Sequence, residues 1–345
     1  MRVAYFGTSD RSIPVLESLN NNFETVLCVT KADTVVGRKH EKRETEVKKW
    51  AKANNITLVE ITGMKEDKLK IMDSLLAVKA EIGVVADFSF MIPEEIINTP
   101  KHKLINIHFS LLPNLRGASP VQFAILQGFE KTGVTFYEMT KGMDNGPILR
   151  RVVYEMKGNE TAEKLYKTLF LLASENLPSV LNDYISGKIT PELQDEAKAT
   201  FTYSPSHPKN TFIFKEDSEI NWESEDELIW RCIRAHTPWP IAWTTLEKME
   251  NSSLLKDYDL KVKSDKNRNL KVKIHEAELN AESELSLNKD SGRNLSTDQK
   301  NYSGELLLNH KVLNIKILQV EGSKKISWEE FKNGYLEKSE TKLLD

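Results

Sequence analysis

The first half of the chain alternates short apolar runs with amphipathic stretches, and this alternation restricts the fold more than any other feature. Val3–Gly7, Glu24–Thr30, Ile56–Val59, Glu81–Ala86, Leu104–Phe109, Gly133–Met139 and Val152–Met156 read as strands. Between them, Ser12–Leu19, Thr45–Asn54 and Lys65–Val78 read as helices, the first with Ser12 as its cap and Pro14 in its first turn. In Lys65–Val78 the residues Leu69, Met72, Leu75 and Leu76 recur at the spacing of a buried stripe. Strands joined through helices of this length imply a Rossmann-like α/β fold, a mostly parallel sheet with helices on both faces. Such sheets bind ligands beyond the carboxyl ends of their strands.

After a helix at Ala162–Ser186 the texture changes. Pro191, Pro205 and Pro208 stand among polar residues in Thr190–Asn210, which reads as a linker. Asp226–Ala235 is helical in pattern. Ala242–Leu246, Leu270–Ile274, Gly304–Leu308 and Val312–Leu318 are short alternating strands of a smaller C-terminal β-barrel, OB-like in character. The expected organisation is a catalytic domain over 1–189, a linker over 190–207 and a second domain over 208–345, interrupted by a polar insertion at about 279–302. A length of 345 residues accommodates two domains of ordinary size.

Composition removes several classes of function. With 48 Lys and Arg against 51 Asp and Glu, a net charge of −3, the chain is not a uniformly basic nucleic-acid coat, although a local basic patch remains open. Its two cysteines, Cys28 and Cys232, exclude a disulfide framework and a Cys-based zinc site, and suit a reducing compartment. Met1 runs straight into a strand pattern without a charged and apolar leader, and no apolar stretch nears the roughly 18 residues of a membrane span. A cytoplasmic location is therefore expected.

The stretch Ile105-Asn106-Ile107-His108-Phe109-Ser110-Leu111-Leu112-Pro113 holds the most chemistry. Asn106 and His108 lie two apart on an apolar strand, so both side chains leave the same face. The imidazole moves a proton near neutral pH and the amide donates to a developing oxyanion. The same pair reads equally well as a capped strand end with a satisfied histidine. Gly142-Met143-Asp144-Asn145-Gly146-Pro147 is primarily a turn signal, but beside His108 its carboxylate would hold the imidazole. Asn106, His108 and Asp144 then form a proton-transfer site without a metal or a covalent nucleophile. Competing chemistries are poorly supported: Gly7-Thr8-Ser9-Asp10-Arg11-Ser12 lacks the dinucleotide G-x-G-x-x-G spacing, and neither a phosphate loop, an H-E-x-x-H motif nor a nucleophile elbow at Ser110 is present.

Together, NIHFSLLPNLRGASPVQFAILQG and the later TGVTFYEMTKGMDNGPIL resemble the formyltransferases that use 10-formyltetrahydrofolate, whose pattern is Asn-x-His-x-Ser-Leu-Leu-Pro followed by an Asp in a Gly-containing loop. GTSDRSIPVLESL, KADTVVGRKHEKRETEVKKWA, INWESEDELIWRCIRAHTPWPIAWTTL and LNIKILQVEGSKKISWEEF are similar to the branch whose acceptor is initiator methionyl-tRNA. The resemblance covers nearly the whole chain apart from the polar tract. It implies that Asn106 stabilises the oxyanion, that His108 handles the proton and that Asp144 assists it. It implies 10-formyltetrahydrofolate as co-substrate and no metal. The folate would lie against Val85, Ala86, Asp87, Phe88, Ser110, Leu111, Leu112, Pro113 and Met139. An amino-sugar nucleotide as acceptor, or a silent tRNA- or folate-binding relative, stays open at this level.

For tRNA, the resemblance points to the loop after the second strand. Lys31–Lys49 carries seven Lys and Arg against four acids, including Arg38, Lys39, Lys42 and Arg43. Cations of this kind displace counterions from phosphates, although on charge alone the loop is an ordinary solvated surface. A second basic stretch, Lys261–Lys273, brings Lys261, Lys263, Arg268, Lys271 and Lys273. Arg11 takes a position that in the family meets the end of the charged tRNA and is usually aromatic. Trp239, between Pro238 and Pro240, reads as a packing element at the domain junction. The expected partners are initiator methionyl-tRNA and folate, with no membrane and no obligate protein partner.

Overall fold

The computed structural model describes residues 1–36, 41–255, 258–261, 265–281 and 311–339. The chain divides into two compact units, Met1–Phe212 and Ile213–Asp345.

In the first unit the order is β1 (Arg2–Gly7), α1 (Ile13–Asn22), β2 (Glu24–Lys31), a hairpin of β3 (Thr34–Val36) and β4 (Glu41–Arg43), α2 (Glu46–Ala53) and β5 (Thr57–Ile61). There follow α3 (Met64–Ala77), β6 (Ile82–Ala86), α4 (Glu94–Ile97), β7 (Leu104–His108), α5 (Pro120–Leu126), β8 (Lys131–Glu138), β9 (Ile148–Glu155) and α6 (Ala162–Ile185). The sheet has seven strands in the order β5-β2-β1-β6-β7-β8-β9. It is parallel from β5 to β7 and antiparallel where β8 joins β7 and β9. β1 and β6 occupy the middle, which explains why both are apolar on both faces. Here the strand order also reverses, so the cleft between their carboxyl ends is the expected ligand position.

Local chemistry sets the boundaries. The Thr45 hydroxyl accepts from Lys48 N to start α2, and the Thr161 hydroxyl accepts from Lys164 N to start α6. α6 buries Leu165, Leu169, Phe170, Leu177 and Leu181 and packs on α1; each such side chain contributes about 1.5–3 kcal/mol. β9 begins earlier than its expected start at Val152. Arg150 and Arg151 hide it in the sequence, but on an edge strand they reach out to Asp183 and Glu192.

The α3 stripe holds at Leu75 and at Met72, which packs against the same core, and is corrected at Leu69 and Leu76. Leu69 and Leu76 are 69% and 61% exposed, while Ile71 and Leu75 are buried. The sheet-facing ridge runs through the i, i+4 pair 71/75, which places residues 69 and 76 away from the core.

The segment expected as a linker is fastened to the first unit. Glu192 and Ile148 exchange backbone hydrogen bonds of 2.7 and 2.8 Å. Arg116 bridges Phe201 in parallel, donating from its N to Thr200 O at 2.8 Å and accepting from Thr202 N at 3.0 Å. The unit boundary accordingly falls at Phe212, past residue 207.

The second unit holds α7 (Asp226–Ala235), β10 (Trp243–Thr245), α8 (Leu246–Glu250), β11 (Tyr258–Leu260), α9 (Asp265–Arg268), β12 (Lys271–Ala281), β13 (Lys311–Val320), β14 (Ile326–Ser327), α10 (Trp328–Tyr335) and β15 (Leu336–Lys338). An antiparallel sheet runs β10-β12-β13-β14, and β11 pairs with β15. Ile229, Ile233, Leu246, Val272, Ile274, Leu318 and Phe331 form its core. A capping box between Ser327 and Glu330 opens α10. Residues 279–281 of the expected polar insertion belong to β12, whereas 282–302 and the expected strand Gly304–Leu308 lie outside the described residues.

Candidate active site

Strand β7 delivers Asn106 and His108 to the sheet's carboxyl end, and its antiparallel neighbour β8 sets Tyr137 opposite Asn106 and Thr135 opposite His108. The loop after β7 folds back under hydrogen bonds. Ser110 Oγ donates to Asn114 O at 2.6 Å, Thr135 Oγ1 donates to Ser110 O at 2.6 Å, and Leu112 N donates to Thr135 Oγ1 at 3.1 Å. Asp144 lies in the loop between β8 and β9 at a left-handed φ of 48°, which costs an L-residue about 1–2 kcal/mol and which aspartate tolerates better than most.

Four polar side chains and one backbone N–H converge. Asn106 Nδ2 donates to the Tyr137 hydroxyl at 3.0 Å, and that hydroxyl donates to Asp144 Oδ1 at 2.7 Å. Gly117 N donates to Asp144 Oδ2 at 2.7 Å. His108 Nδ1 lies 3.6 Å from the same Oδ2. His108 Nε2 is 2.9 Å from Leu115 O; a carbonyl only accepts, so Nε2 carries a hydrogen. His108 is buried, and Asp144 largely so. Burial, followed by the charge of Asp144 and its hydrogen bond, pushes the Tyr137 phenol well above its usual range, so the hydroxyl remains a neutral donor.

Each carboxylate oxygen of Asp144 thus has its own donor and a fixed orientation. Asn106 spends one amide N–H on Tyr137, and an amide nitrogen has a second to offer. The site therefore presents an oriented amide donor beside an imidazole–carboxylate pair.

The residues expected around folate take up two positions. Leu112, Tyr137 and Ile148 cluster with Met139 packed against them, forming an apolar wall beside the triad. Ser110 is buried, as are Val85 and Ala86 at the end of β6; Leu111 and Pro113 are half-buried. Phe88 packs edge-on against Phe6 at 5.6 Å between ring centroids. Asp87 turns elsewhere: its carboxylate pairs with Arg11 at 3.0 Å and its carbonyl accepts from Thr8 N. A residue expected to meet folate and one expected to meet tRNA thus meet each other. An open cavity of about 610 Å³ beyond β6 is lined by Met91, Ile92, Pro93, Glu94, Glu95, Asn98 and Lys141. Its lining joins the apolar Met91, Ile92 and Pro93 to the charged Glu94, Glu95 and Lys141, and none of the residues expected around folate is among them.

The basic residues are dispersed. Arg43 is exposed at the end of β4. Arg38, Lys39 and Lys263 lie outside the described residues, as does the side chain of Lys42. In the second unit Lys261 Nζ donates to Asn333 O at 2.7 Å, Arg268 pairs with Glu250, and the Lys271 ammonium sits 3.8 Å from the centre of the Trp243 ring. Lys273 is exposed.

Sequence reasoning missed Tyr137, the Leu115 carbonyl, Gly117, Arg116 and Gln194. Tyr137 was discoverable as the register partner of Asn106, and Arg116-Gly117 sat inside the quoted run. Gln194, in the expected linker, gave no signal.

Residues 1–181 match the formyl transferase family and residues 213–336 match the formyl transferase C-terminal domain. Methionyl-tRNA formyltransferase from Bacillus cytotoxicus is 37% identical over 71% of this chain and 76% of its own length, and the Bacillus mycoides enzyme is 36% identical over the same shares. Among solved structures, an N-formyltransferase from Helicobacter canadensis, in complex with folinic acid and dTDP-3-aminofucose, superposes with a TM-score of 0.57 at 19% identity, covering 81% of this chain and 88% of that one. A methionyl-tRNA formyltransferase from Clostridium thermocellum gives 0.50 at 18% identity, covering 81% and 93%. The chain belongs to the formyl transferase family, in its methionyl-tRNA formyltransferase branch.

Proposed function

We propose that this chain transfers a formyl group from 10-formyltetrahydrofolate to the free amine of initiator methionyl-tRNA. The observation that carries the reading is the single hydrogen-bonded set Asn106–Tyr137–Asp144, with the His108 ring 3.6 Å from the same carboxylate. It is a device for adding an amine to a carbonyl carbon.

The amine attacks the formyl carbon, a C–N bond forms, and the carbonyl electrons move onto oxygen. The second N–H of Asn106 stabilises that oxyanion; loss of such a donor costs about 10²–10³-fold in rate. His108, whose Nε2 already carries a hydrogen, takes on Nδ1 the proton that the attacking nitrogen must shed, and Asp144 Oδ2 beside Nδ1 balances the charge that results. The tetrahedral intermediate collapses as the bond to the folate nitrogen breaks, and that nitrogen receives the proton. Leu112 and Met139, in the apolar cluster with Tyr137, shield the reacting carbon from water.

The tRNA acceptor is supported by the relatives that share the two-part chain and by the cations of Lys31–Lys49. A cytoplasmic setting follows from an acceptor that serves translation. Both thiols are free, and burial pushes Cys28 and Cys232 up to about 12, which leaves them unreactive. No helix among the described residues is long and apolar enough to cross a membrane.

The test is formyl transfer from 10-formyltetrahydrofolate to charged initiator tRNA, with an amino-sugar nucleotide as competing acceptor. Formyl-methionyl-tRNA as the product is the expected result. Formylation of the sugar amine alone would overturn the reading.

A further inference from the structure

The segment following α6 holds both members of the proton-transfer pair through their partners. Gln194 Nε2 donates to Asp144 O and to Gly146 O, each at 2.8 Å, so one side-chain amide grips the loop on both sides of Asn145. Gln194 Oε1 accepts from Arg116 Nε at 3.2 Å and from Arg116 Nη2 at 2.9 Å. Arg116 is 2% exposed, and its outer nitrogens clasp both oxygens of Glu196 at 2.8 Å. The residue after Arg116 is Gly117, whose N–H holds Asp144 Oδ2. The residue before it is Leu115, whose carbonyl meets His108 and whose own N–H donates to Thr200 Oγ1 at 2.8 Å. Residues 194–200 therefore reach the backbone of Asp144 directly, and reach His108 through Leu115.

A buried arginine is costly unless every charge-bearing donor is satisfied. Here the fork is filled by a neutral amide and a carboxylate, and the amide's two donors go to the loop that carries Asp144. A purely structural role would be met by any acceptor for Arg116. It would not require the same side chain to donate to Asp144 O.

We propose that Gln194, locked by Arg116, is a positioning residue for formyl transfer that sets the direction of the Asp144 carboxylate toward His108. This rests on the catalytic reading above. Gln194→Glu is the decisive substitution, because it keeps an acceptor for Arg116 and removes the donors to Asp144 O and Gly146 O. Gln194→Leu removes both. Two readouts are taken on the full chain: steady-state formyl transfer across pH, and the ring ¹⁵N resonances of His108 in the protein without substrate.

For Q194E the expected result is a kcat lower by up to about 10²-fold, Michaelis constants for folate and charged tRNA unchanged, a displaced pH profile, and shifted His108 ring signals. Shifted signals in a protein whose wild type formylates no methionyl-tRNA would sink the acceptor assignment and leave this coupling standing. Unchanged kcat overturns the proposal. So does a lower kcat with unaltered ring signals, or a loss of activity that only tracks the loss of folded protein. Where Q194L fails to fold, the glutamate variant decides.

Discussion

Arg11 and Asp87 meet in a 3.0 Å ion pair just beyond the carboxyl ends of the adjacent central strands β1 and β6. The guanidinium also lies 4.1 Å from the centre of the Tyr166 ring, and its side chain remains 42% exposed. The cleft at the reversal of strand order therefore presents a guanidinium that is paired with Asp87 and still partly open to solvent. Exposed pairs of this kind contribute about 0–1 kcal/mol, so the pair matters more for what it presents than for stability. Arg11→Ala should raise the Michaelis constant for charged tRNA and leave that for folate alone. Asp87→Asn should also leave folate unaffected, because this carboxylate faces Arg11. Separate constants for the two substrates check both, and a folate constant raised by D87N would return Asp87 to the folate site.

The hydroxyl of Tyr137 ties Asn106, the proposed oxyanion donor, to the Asp144 carboxylate. Tyr137→Phe keeps the ring in its apolar cluster and removes a hydrogen bond to each of Asn106 and Asp144. Expected are a stability loss of about 1–3 kcal/mol and a slower turnover with little change in either Michaelis constant. His108→Ala and Asp144→Ala should lower turnover by about 10²–10⁴-fold with folding retained. Denaturant titration alongside single-turnover formylation separates the two effects. Full activity in either alanine variant would remove the proton-transfer role.

Gly117 is required at its position. Its φ is 113°, and a Cβ there would lie 2.6 Å from Thr211 Cβ and 2.7 Å from Thr202 Oγ1. Both neighbours belong to the segment packed onto the first unit, so neither has room to withdraw without disturbing that contact. Gly117→Ala should destabilise the protein by about 1–3 kcal/mol and slow catalysis further, because the displaced N–H is the one that holds Asp144. Thermal unfolding at matched activity measurements gives the answer. An alanine variant that unfolds and turns over like wild type would show that the loop relaxes freely.

What the sequence revealed and what it concealed follow from locality. β1, β2, β6 and α7 were readable because apolar runs, caps and helical period are contained in a few adjacent residues; Asp226–Ala235 matches its expected span. The pairing of Asn106 with His108 was readable because they share one strand face, whereas Asp144 reads first as a turn residue and its approach to His108 is visible only in the fold. Gln194 was not, since its role exists only once a polar, proline-bearing stretch folds back on a loop fifty residues earlier in the chain. The face of α3 was misjudged for a related reason. Leu69 and Leu76 look no different in sequence from the buried Leu75, and only packing shows that they lie outside and Ile71 inside.

Lys48 organises the base of the basic hairpin. It is buried on α2 and bonds Asp33, just before β3, at 2.7 Å, and Glu60 on β5 at 2.8 Å, with Glu44, just after β4, at 3.4 Å. Donating to the Asp33 and Glu60 carboxylates pushes its ammonium above the ordinary lysine range. A raised folded value means that the stabilisation is complete below the unfolded lysine value of about 10.4 and is lost only as pH rises through the folded one. The network is therefore closed throughout the neutral range. Lys48→Met should release both legs of the hairpin and raise the Michaelis constant for tRNA with kcat and the folate constant retained. Neutralising Lys42 and Arg43 should raise the same constant and also flatten its dependence on salt, because phosphate contacts themselves are lost. The two variants thus differ in salt slope: unchanged for a hairpin that has lost only its anchor, reduced for one that has lost its charges. Equal slopes in wild type and the neutralised variant would show that the hairpin does not meet phosphate.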